Sequence, residues 1–302
     1  MLHTSVSAGE RRRAFRSGLA SGRLLRFPGA FTPLSAILIE ELGFEGVYVS
    51  GAVLSASLGL PDVGLTSLGE VAARSHEIAR VTGLPALVDA DTGFGGPLNA
   101  ARCVQLLEEM GVAGCHIEDQ VSPKRCGHLE GKTVVTRAEM VARIAAAVGA
   151  RRDPDFVICA RTDARAVEGI DAAVERARAY ADAGADLVFP EALAGAAEFE
   201  RFRGAVDAPI LANMTEFGRT DLLDTATLSS LGVNVVIYPV TLLRLAMGAI
   251  ERGLQALAAA GTQREQVPAM QTRARLYELL DYDGYTSFEA SVSTGAHAVE
   301  GE

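Results

Sequence analysis

Residues 115–128 read Cys-His-Ile-Glu-Asp-Gln-Val-Ser-Pro-Lys-Arg-Cys-Gly-His. Two carboxylates, Glu118 and Asp119, follow the apolar run from Ala113 to Ile117. A thiol, Cys126, stands among Lys124, Arg125 and His128. Nearby cations favour the thiolate and lower a thiol's pKa. Cys126 is therefore expected to exchange a proton near neutral pH, which a catalytic acid must do. A basic run alone reads as solvated surface. The thiol and histidine beside it, and the acidic pair before it, favour catalysis. The stretch from Gln120 to Val135 is long for a strand-to-helix connection, and such loops are usually functional lids or disordered. Gly127 and Gly131 would supply its hinges.

A second acidic centre lies upstream in Val-Asp89-Ala-Asp91-Thr-Gly-Phe-Gly-Gly. Carboxylates at i and i+2 of an extended segment point the same way. Unscreened, they repel, and one tends to hold a proton. A hard divalent cation removes that penalty. Oxygen-only ligands with coordinated water fit Mg2+, with Mn2+ the alternative. The bland reading is a turn aspartate beside a helix cap; Glu118 after the next apolar run favours the metal. The glycines after Asp91 match neither a P-loop nor a dinucleotide fingerprint.

Short apolar runs must carry these groups. Candidates are residues 24–27, 46–49, 86–88, 114–117, 156–160, 187–189, 210–212 and 235–238, mostly too short and too uniformly apolar for a two-faced antiparallel sheet. Between them lie amphipathic stretches. Ser67–Glu70 and Thr136–Glu139 read as capping boxes, residues 99–110, 171–183 and 241–260 as helices, and Gly111, Gly149, Gly184 and Gly261 as C-caps. Eight strands alternating with helices predict a (β/α)8 barrel, with a doubly wound open sheet as the alternative. Residues 269–280 add one further helix, and the stretch from about 287 to 302, small and polar with little to pack, reads as a flexible tail. The whole chain, 1–302, reads as one domain.

A barrel places its chemistry at the carboxyl ends of strands. There the sequence has Tyr48, Ser50 and Gly51; Asp89 and Asp91; His116 and Glu118; Arg161 and Asp163; Glu191; Asn213 and Thr215; and Tyr238, with Arg244 just beyond. Packing alone does not explain that convergence, and it is the main reason to expect an enzyme.

The 302 residues are 49% hydrophobic with a net charge of −10. That balance argues against a nucleic-acid partner. No window has the length of a membrane span. No apolar segment follows Arg11-Arg12-Arg13 to act as a signal sequence. The four cysteines form no CxxC pair, so neither a zinc site nor a disulfide scaffold is expected. A soluble cytoplasmic protein is the expectation, with Cys103, Cys115 and Cys159 in the core.

These residues resemble the isocitrate lyase/phosphoenolpyruvate mutase superfamily. The similar stretches run from about Phe27 to Tyr277 and include 48–51, 88–95, 116–120, 124–128, 160–164, 189–191, 210–218 and 270–273. The Lys-Arg-Cys-Gly-His run marks the lyase branch. The resemblance implies a barrel whose last helix is exchanged within a dimer, two dimers making a homotetramer. It implies Mg2+ at Asp89 and Asp91, partly through water, with Glu118 nearby. It implies a small hydroxy-tricarboxylate substrate held by Ser50, Gly51, Ala52, Cys126, Gly127, Arg161, Glu191, Asn213, Met214, Thr215, Arg244 and Arg273. Ala52 departs from a common glycine but keeps its N–H. The implied reaction is retro-aldol cleavage of 2-methylisocitrate to pyruvate and succinate, with Cys126 as acid and His128 and Arg161 assisting. The base is Tyr48 or an acidic residue near the metal. Isocitrate or 2,3-dimethylmalate cleavage, phosphonate chemistry, oxaloacetate decarboxylation and an inactive binding barrel are the alternatives.

Overall fold

In the computed structural model, residues 4–125, 127 and 131–299 are described, with side chains to residue 293. Cys126 and His128 lie outside the described residues. The chain forms two compact units, one spanning Ser5–Leu243 and the other residues from Arg244 onward.

In the larger unit eight strands alternate with helices. The strands are β1 (Leu25–Pro28), β2 (Val47–Val49), β3 (Ala86–Asp89), β4 (Gly114–Glu118), β5 (Val157–Thr162), β6 (Leu187–Pro190), β7 (Leu211–Asn213) and β8 (Val235–Tyr238). The helices are α1 (Ala8–Ala20), α2 (Pro33–Glu41), α3 (Gly51–Ser57), α4 (Leu68–Ala79), α5 (Pro97–Glu109), α6 (Arg137–Ala150), α7 (Ala164–Val167), α8 (Ile170–Asp182), α9 (Ala196–Arg203) and α10 (Thr225–Ser230). All pairing between strands is parallel, in the orders β2-β3-β4-β5-β6 and β1-β8-β7. Single parallel bridges, Gly29–Tyr48 and Val188–Ile210, link β1 to β2 and β6 to β7.

The two-residue period of a strand assigns the faces. Ala86, Val88, Cys115, Ile117, Ile158 and Ala160 pack with residues of α2 and α4–α6. Alternate positions, among them Leu87, Val157 and Cys159, join Phe27, Tyr48, Phe189, Leu211 and Ile237 in a separate buried cluster. Phe15 and Leu19 of α1 complete that cluster, with the Phe15 and Phe27 rings 5.1 Å apart. Asp89, His116, Glu118 and Arg161 continue this second set of positions. The register sets Asp89 beside His116 and Glu118 beside Arg161. Strand alternation thus gathers the polar row at one end.

Helix ends follow local chemistry. Ser67 and Glu70 form the full reciprocal capping box. At Thr136 only half of the expected box forms: its hydroxyl accepts the Glu139 N–H, while the Glu139 carboxylate pairs with Arg143 one turn on, at 2.7 Å. Gly111, Gly184 and Gly261 take the left-handed conformation just past helix ends. Gly149 does not cap; α6 runs through it to Ala150.

The second unit contains most of α11 (Thr241–Ala260), then a 3-10 turn at Arg264–Ala269, α12 (Arg273–Leu279) and α13 (Tyr282–Val299). The backbone beyond Ser287 is therefore helical as far as Val299.

Candidate active site

Asp89 closes β3 and accepts two backbone N–H groups, from Gly51 at 3.1 Å and from Asp91 at 3.0 Å. Ser50 caps α3 by accepting the Val53 N–H, which turns Gly51 toward the carboxylate. A Cβ on Gly51 would lie 2.9 Å from Asp89 Oδ2 and 3.5 Å from Asp91 Oδ1. Gly51→Ala should therefore push a methyl group into the carboxylate pair. If the pair holds Mg2+, its calorimetric affinity should fall by about tenfold, with a melting temperature close to that of the parent.

Burial raises the pKa of Asp89, but His116, Lys124, Arg161 and the Asp91 N–H outweigh it and hold the carboxyl at about 2. Burial lowers His116 to about 4, leaving a neutral imidazole at pH 7, so the remaining three partners carry the effect there. Asp91 behaves oppositely. Burial and the neighbouring Asp89 charge raise it to about 6, against the pull of Lys124. The Lys124 ammonium lies 2.8 Å from Asp91 Oδ1, close enough to pair as ions without hydrogen-bond alignment, and it donates to Asp62. Glu118 is 1% exposed, and burial pushes its pKa well above the usual carboxylate range. Among the described residues its Oε1 has no hydrogen-bond partner, while Oε2 lies 3.3 Å from Arg161 Nε.

The donor set fits a hard cation. Asp89, Asp91 and Glu118 offer oxygen alone, and Glu118 Oε1 is a buried acceptor that no described residue uses. Among the described residues no three acidic, His or Cys side chains converge tightly enough for direct ligation.

Arg161 forms the opposite wall. Its guanidinium donates to Asp163 at 3.0 and 3.2 Å, lies 3.2 Å from Glu191 Oε2, and sits 5.1 Å over the Phe189 ring. Burial disfavours its charge, yet Asp163, Glu118 and Glu191 raise its pKa well above the ordinary value. Asn213 Nδ2 reaches Glu191 at 3.4 Å. The Tyr48 hydroxyl lies 2.8 Å from His116 Nε2, and burial followed by the Asp89 charge raises its pKa well above 10.

One cleft is lined by Tyr48, Ser50, Ala52, Asp62, Asp89, Lys124, Gly127, Arg161, Glu191, Asn213 and Thr215, while Asp91, His116 and Glu118 are not among its lining residues. Met214 is not brought in. Its side chain packs among Val206, Ile210 and Leu228, and its N–H is committed to the Ile237 carbonyl. Asp119 also points elsewhere, accepting from Thr162, Tyr180 and the Asp163 N–H. Arg244 lies on α11 and Arg273 opens α12, both in the second unit.

Sequence reasoning did not single out Asp62 or Lys132, and it assigned Lys124 to the thiol rather than to Asp62 and Asp91. Asp62 and Lys124 are 62 residues apart, so no local motif announces the pair. Gln120, by contrast, clamps the start of the loop locally, bonding both the N–H and the carbonyl of Arg125.

Parallel strands flanked by helices, with carboxylates and an arginine gathered at their carboxyl ends, define an α/β enzyme-type fold. The chain belongs to the family described as phosphoenolpyruvate phosphomutase, which it matches over residues 15–258. It is 62% identical over 294 residues to probable 2-methylisocitrate lyase 2 of Corynebacterium glutamicum, covering 97% of this chain and 96% of that one. The 2-methylisocitrate lyase of Shewanella oneidensis is 50% identical over 284 residues, 94% of this chain and 95% of that one. Among solved structures, a 2,3-dimethylmalate lyase superposes with TM-score 0.87 at 33% identity, covering 96% of each chain. A phosphonopyruvate hydrolase in complex with oxalate and Mg++ superposes with TM-score 0.85 at 32% identity, covering 93% of this chain and 98% of that one.

Proposed function

We propose that this chain is a divalent-metal-dependent carbon–carbon lyase that cleaves 2-methylisocitrate to pyruvate and succinate. One observation carries the reading. Proteins named 2-methylisocitrate lyase match this chain at 62% and 50% identity over nearly its whole length. The site then assigns the roles.

Mg2+, or Mn2+ in its place, would be held by Asp89 and Asp91 partly through water with Glu118 alongside, and would lower the pKa of the substrate's α-hydroxyl. Ser50 offers its hydroxyl and Ala52 its N–H to the substrate carboxylate, the Gly51 N–H being held by Asp89, and Asn213 and Thr215 also line the cleft. Tyr48 is a neutral phenol at pH 7. Its hydroxyl contacts His116 Nε2, and the base that takes the substrate's hydroxyl proton is Tyr48 or an acidic residue near the metal. As the C2–C3 bond breaks, its electrons collect on the departing succinate fragment. Arg161 stabilises that charge, and the Cys126 thiol delivers the proton that completes succinate, with His128 beside it. Arg244 and Arg273 would bind the third carboxylate.

The bridges at both seams, and one cluster fed by strands from both sheets, support closure into a (β/α)8 barrel. Exposed Tyr277, Leu280, Tyr282, Tyr285 and Phe288 support exchange of the C-terminal helices within a dimer, two dimers forming the homotetramer. Among the described residues no helix is long and apolar enough to cross a membrane. Cytoplasmic residence belongs to the same proposal.

The test is keto-acid release from 2-methylisocitrate, isocitrate and 2,3-dimethylmalate measured side by side, with and without chelator. 2-Methylisocitrate should be cleaved at least about tenfold faster than the others. Chelation should stop the reaction and Mg2+ restore it. Faster cleavage of either competitor would overturn the substrate assignment.

A further inference from the structure

Lysine is among the residues least often buried, because its ammonium is costly to strip of water unless it is paired and hydrogen-bonded. The Lys132 side chain is 2% exposed. Its ammonium donates to Asp163 Oδ1 at 2.7 Å and to the Gly127 carbonyl. Asp163 is itself fully buried and holds Arg161 with both carboxylate oxygens. Its own N–H is fixed by Asp119 Oδ1 at 2.8 Å. Oδ1 of Asp163 therefore serves two cations at once. The backbone at Gly127 rests directly on the same group: a Cβ there would come 2.3 Å from Arg161 Nη2 and 2.7 Å from Glu191 Cγ.

We propose that Lys132 is a positioning residue: its buried ammonium ties the Gly127 backbone to the Asp163 carboxylate that orients Arg161, and so sets the residue beside Cys126 against the anion clamp. Lys132 does not line the cleft and touches no reacting atom. It fixes the distance between two parts of the site that come from different strand ends. An apolar side chain of similar length would fill the space but leave the Gly127 carbonyl without its donor and Asp163 with one cation. The Gly127 backbone would then be free to drift from Arg161, and misplacement by about an ångström is enough to slow a positioned proton transfer by orders of magnitude. Substrate binding depends on Arg161 itself, which Asp163 still holds, so the damage should fall on turnover.

The inference deepens the lyase reading and rests on it in one respect: the kinetic comparison takes Cys126 as the proton donor. The experiment measures kcat and KM for 2-methylisocitrate at saturating Mg2+, with melting curves, for the parent, Lys132→Met, Cys126→Ser and the double variant. Lys132→Met should lower kcat by about tenfold or more while KM stays within about threefold. In the Cys126→Ser background the same change should cost less than about threefold, because the group whose position it sets is gone. Lys132→Arg, which retains a cationic donor, should recover part of the loss. Should Lys132→Met melt below the assay temperature, Lys132→Gln takes its place in the same cycle. A kcat within about threefold of the parent, or a loss that persists undiminished on top of Cys126→Ser, overturns the inference. Full activity in Cys126→Ser alone would instead overturn the cysteine-acid reading, whatever Lys132→Met does.

Discussion

Arg161→Met should abolish metal-dependent keto-acid formation and destabilise the fold in the same step. The Arg161 side chain is 9% exposed and its guanidinium serves three carboxylates, Asp163, Glu118 and Glu191, at 3.0–3.3 Å. Methionine fills a similar volume above Phe189 but removes the arginine that contacts all three. Removing one partner of a buried ion pair typically costs about 3–5 kcal/mol, since the other charge is left uncompensated. The loss should depend on pH in a defined direction. Burial already pushes Glu118 above the ordinary carboxylate range, and Arg161 is the chief influence opposing it. Without Arg161 the folded-state pKa of Glu118 rises further. A raised folded pKa contributes stability at low pH, where the group is neutral in both states, and loses it as pH rises. Chemical denaturation should therefore find the variant closer to the parent at pH 5 than at pH 8. Activity should fall by about a thousandfold at every pH, because the developing carboxylate charge has lost its preorganised donor. Arg161→Lys separates the two effects. An ammonium keeps the charge but cannot span three acceptors. We expect it to recover much of the stability and little of the turnover. A variant that kept full turnover would remove Arg161 from the anion clamp.

The reason this arginine was legible in the sequence is the strand period. Arg161 follows an apolar run, and its neighbours Ala160 and Ile158 pack outward against helices, so it had to point the other way. The sequence placed Asp89, Glu118 and Tyr48 at the carboxyl ends of apolar runs, and the strand period explains the face they take. Each is a polar residue that strand alternation forces onto the interior row, and each structural position agrees. Met214 failed for the same reason. It lies one residue beyond Asn213, and alternation sends its side chain outward into the cluster around Leu228. Residues on loops carry no such constraint. Asp62 sits between α3 and α4, and Lys132 follows a loop glycine. Their partners are set by where the chain returns in space, which periodicity does not encode. Lys124 shows how proximity in sequence can mislead. It stands two residues from Cys126, yet its ammonium satisfies carboxylates contributed by other elements. Gly149 is a smaller case: a glycine near the end of a helical stretch reads as a stop, but α6 continues because Ala150 is a strong helix former and nothing forces a positive φ there.

Asp91→Asn should have opposite effects on catalysis and on the stability of the metal-free protein. Asp91 holds φ at 46°, a left-handed conformation that asparagine tolerates about as well as aspartate. The backbone is therefore not strained anew. What changes is charge. Burial and Asp89 raise the Asp91 pKa from 3.8 to about 6, so near pH 8 the folded protein ionises this carboxyl at a cost. With the folded pKa above the unfolded one, the group's contribution to stability is complete below about pH 3.8 and is lost as pH rises through about 6. At about 1.4 kcal/mol per pKa unit, the full penalty amounts to roughly 3 kcal/mol. That figure already includes the pull of Lys124, which retains Asp62 in the variant. In the presence of chelator, Asp91→Asn should accordingly unfold at the same or higher denaturant than the parent at pH 8. The difference should shrink as pH falls through 6 and vanish near pH 4. Mg2+ reverses the comparison. Its binding to the parent must displace the Asp91 proton, so apparent affinity should weaken as pH drops below about 6. The variant, lacking the second carboxylate, should show little of that pH dependence and lose turnover by about a thousandfold or more. Calorimetric titration of Mg2+ at pH 5.5, 6.5 and 8, set beside denaturation in chelator, reads both signs from the same preparation. A variant that was less stable than the parent at pH 8, yet bound Mg2+ as tightly, would mean that Asp91 serves the fold and that another group holds the metal.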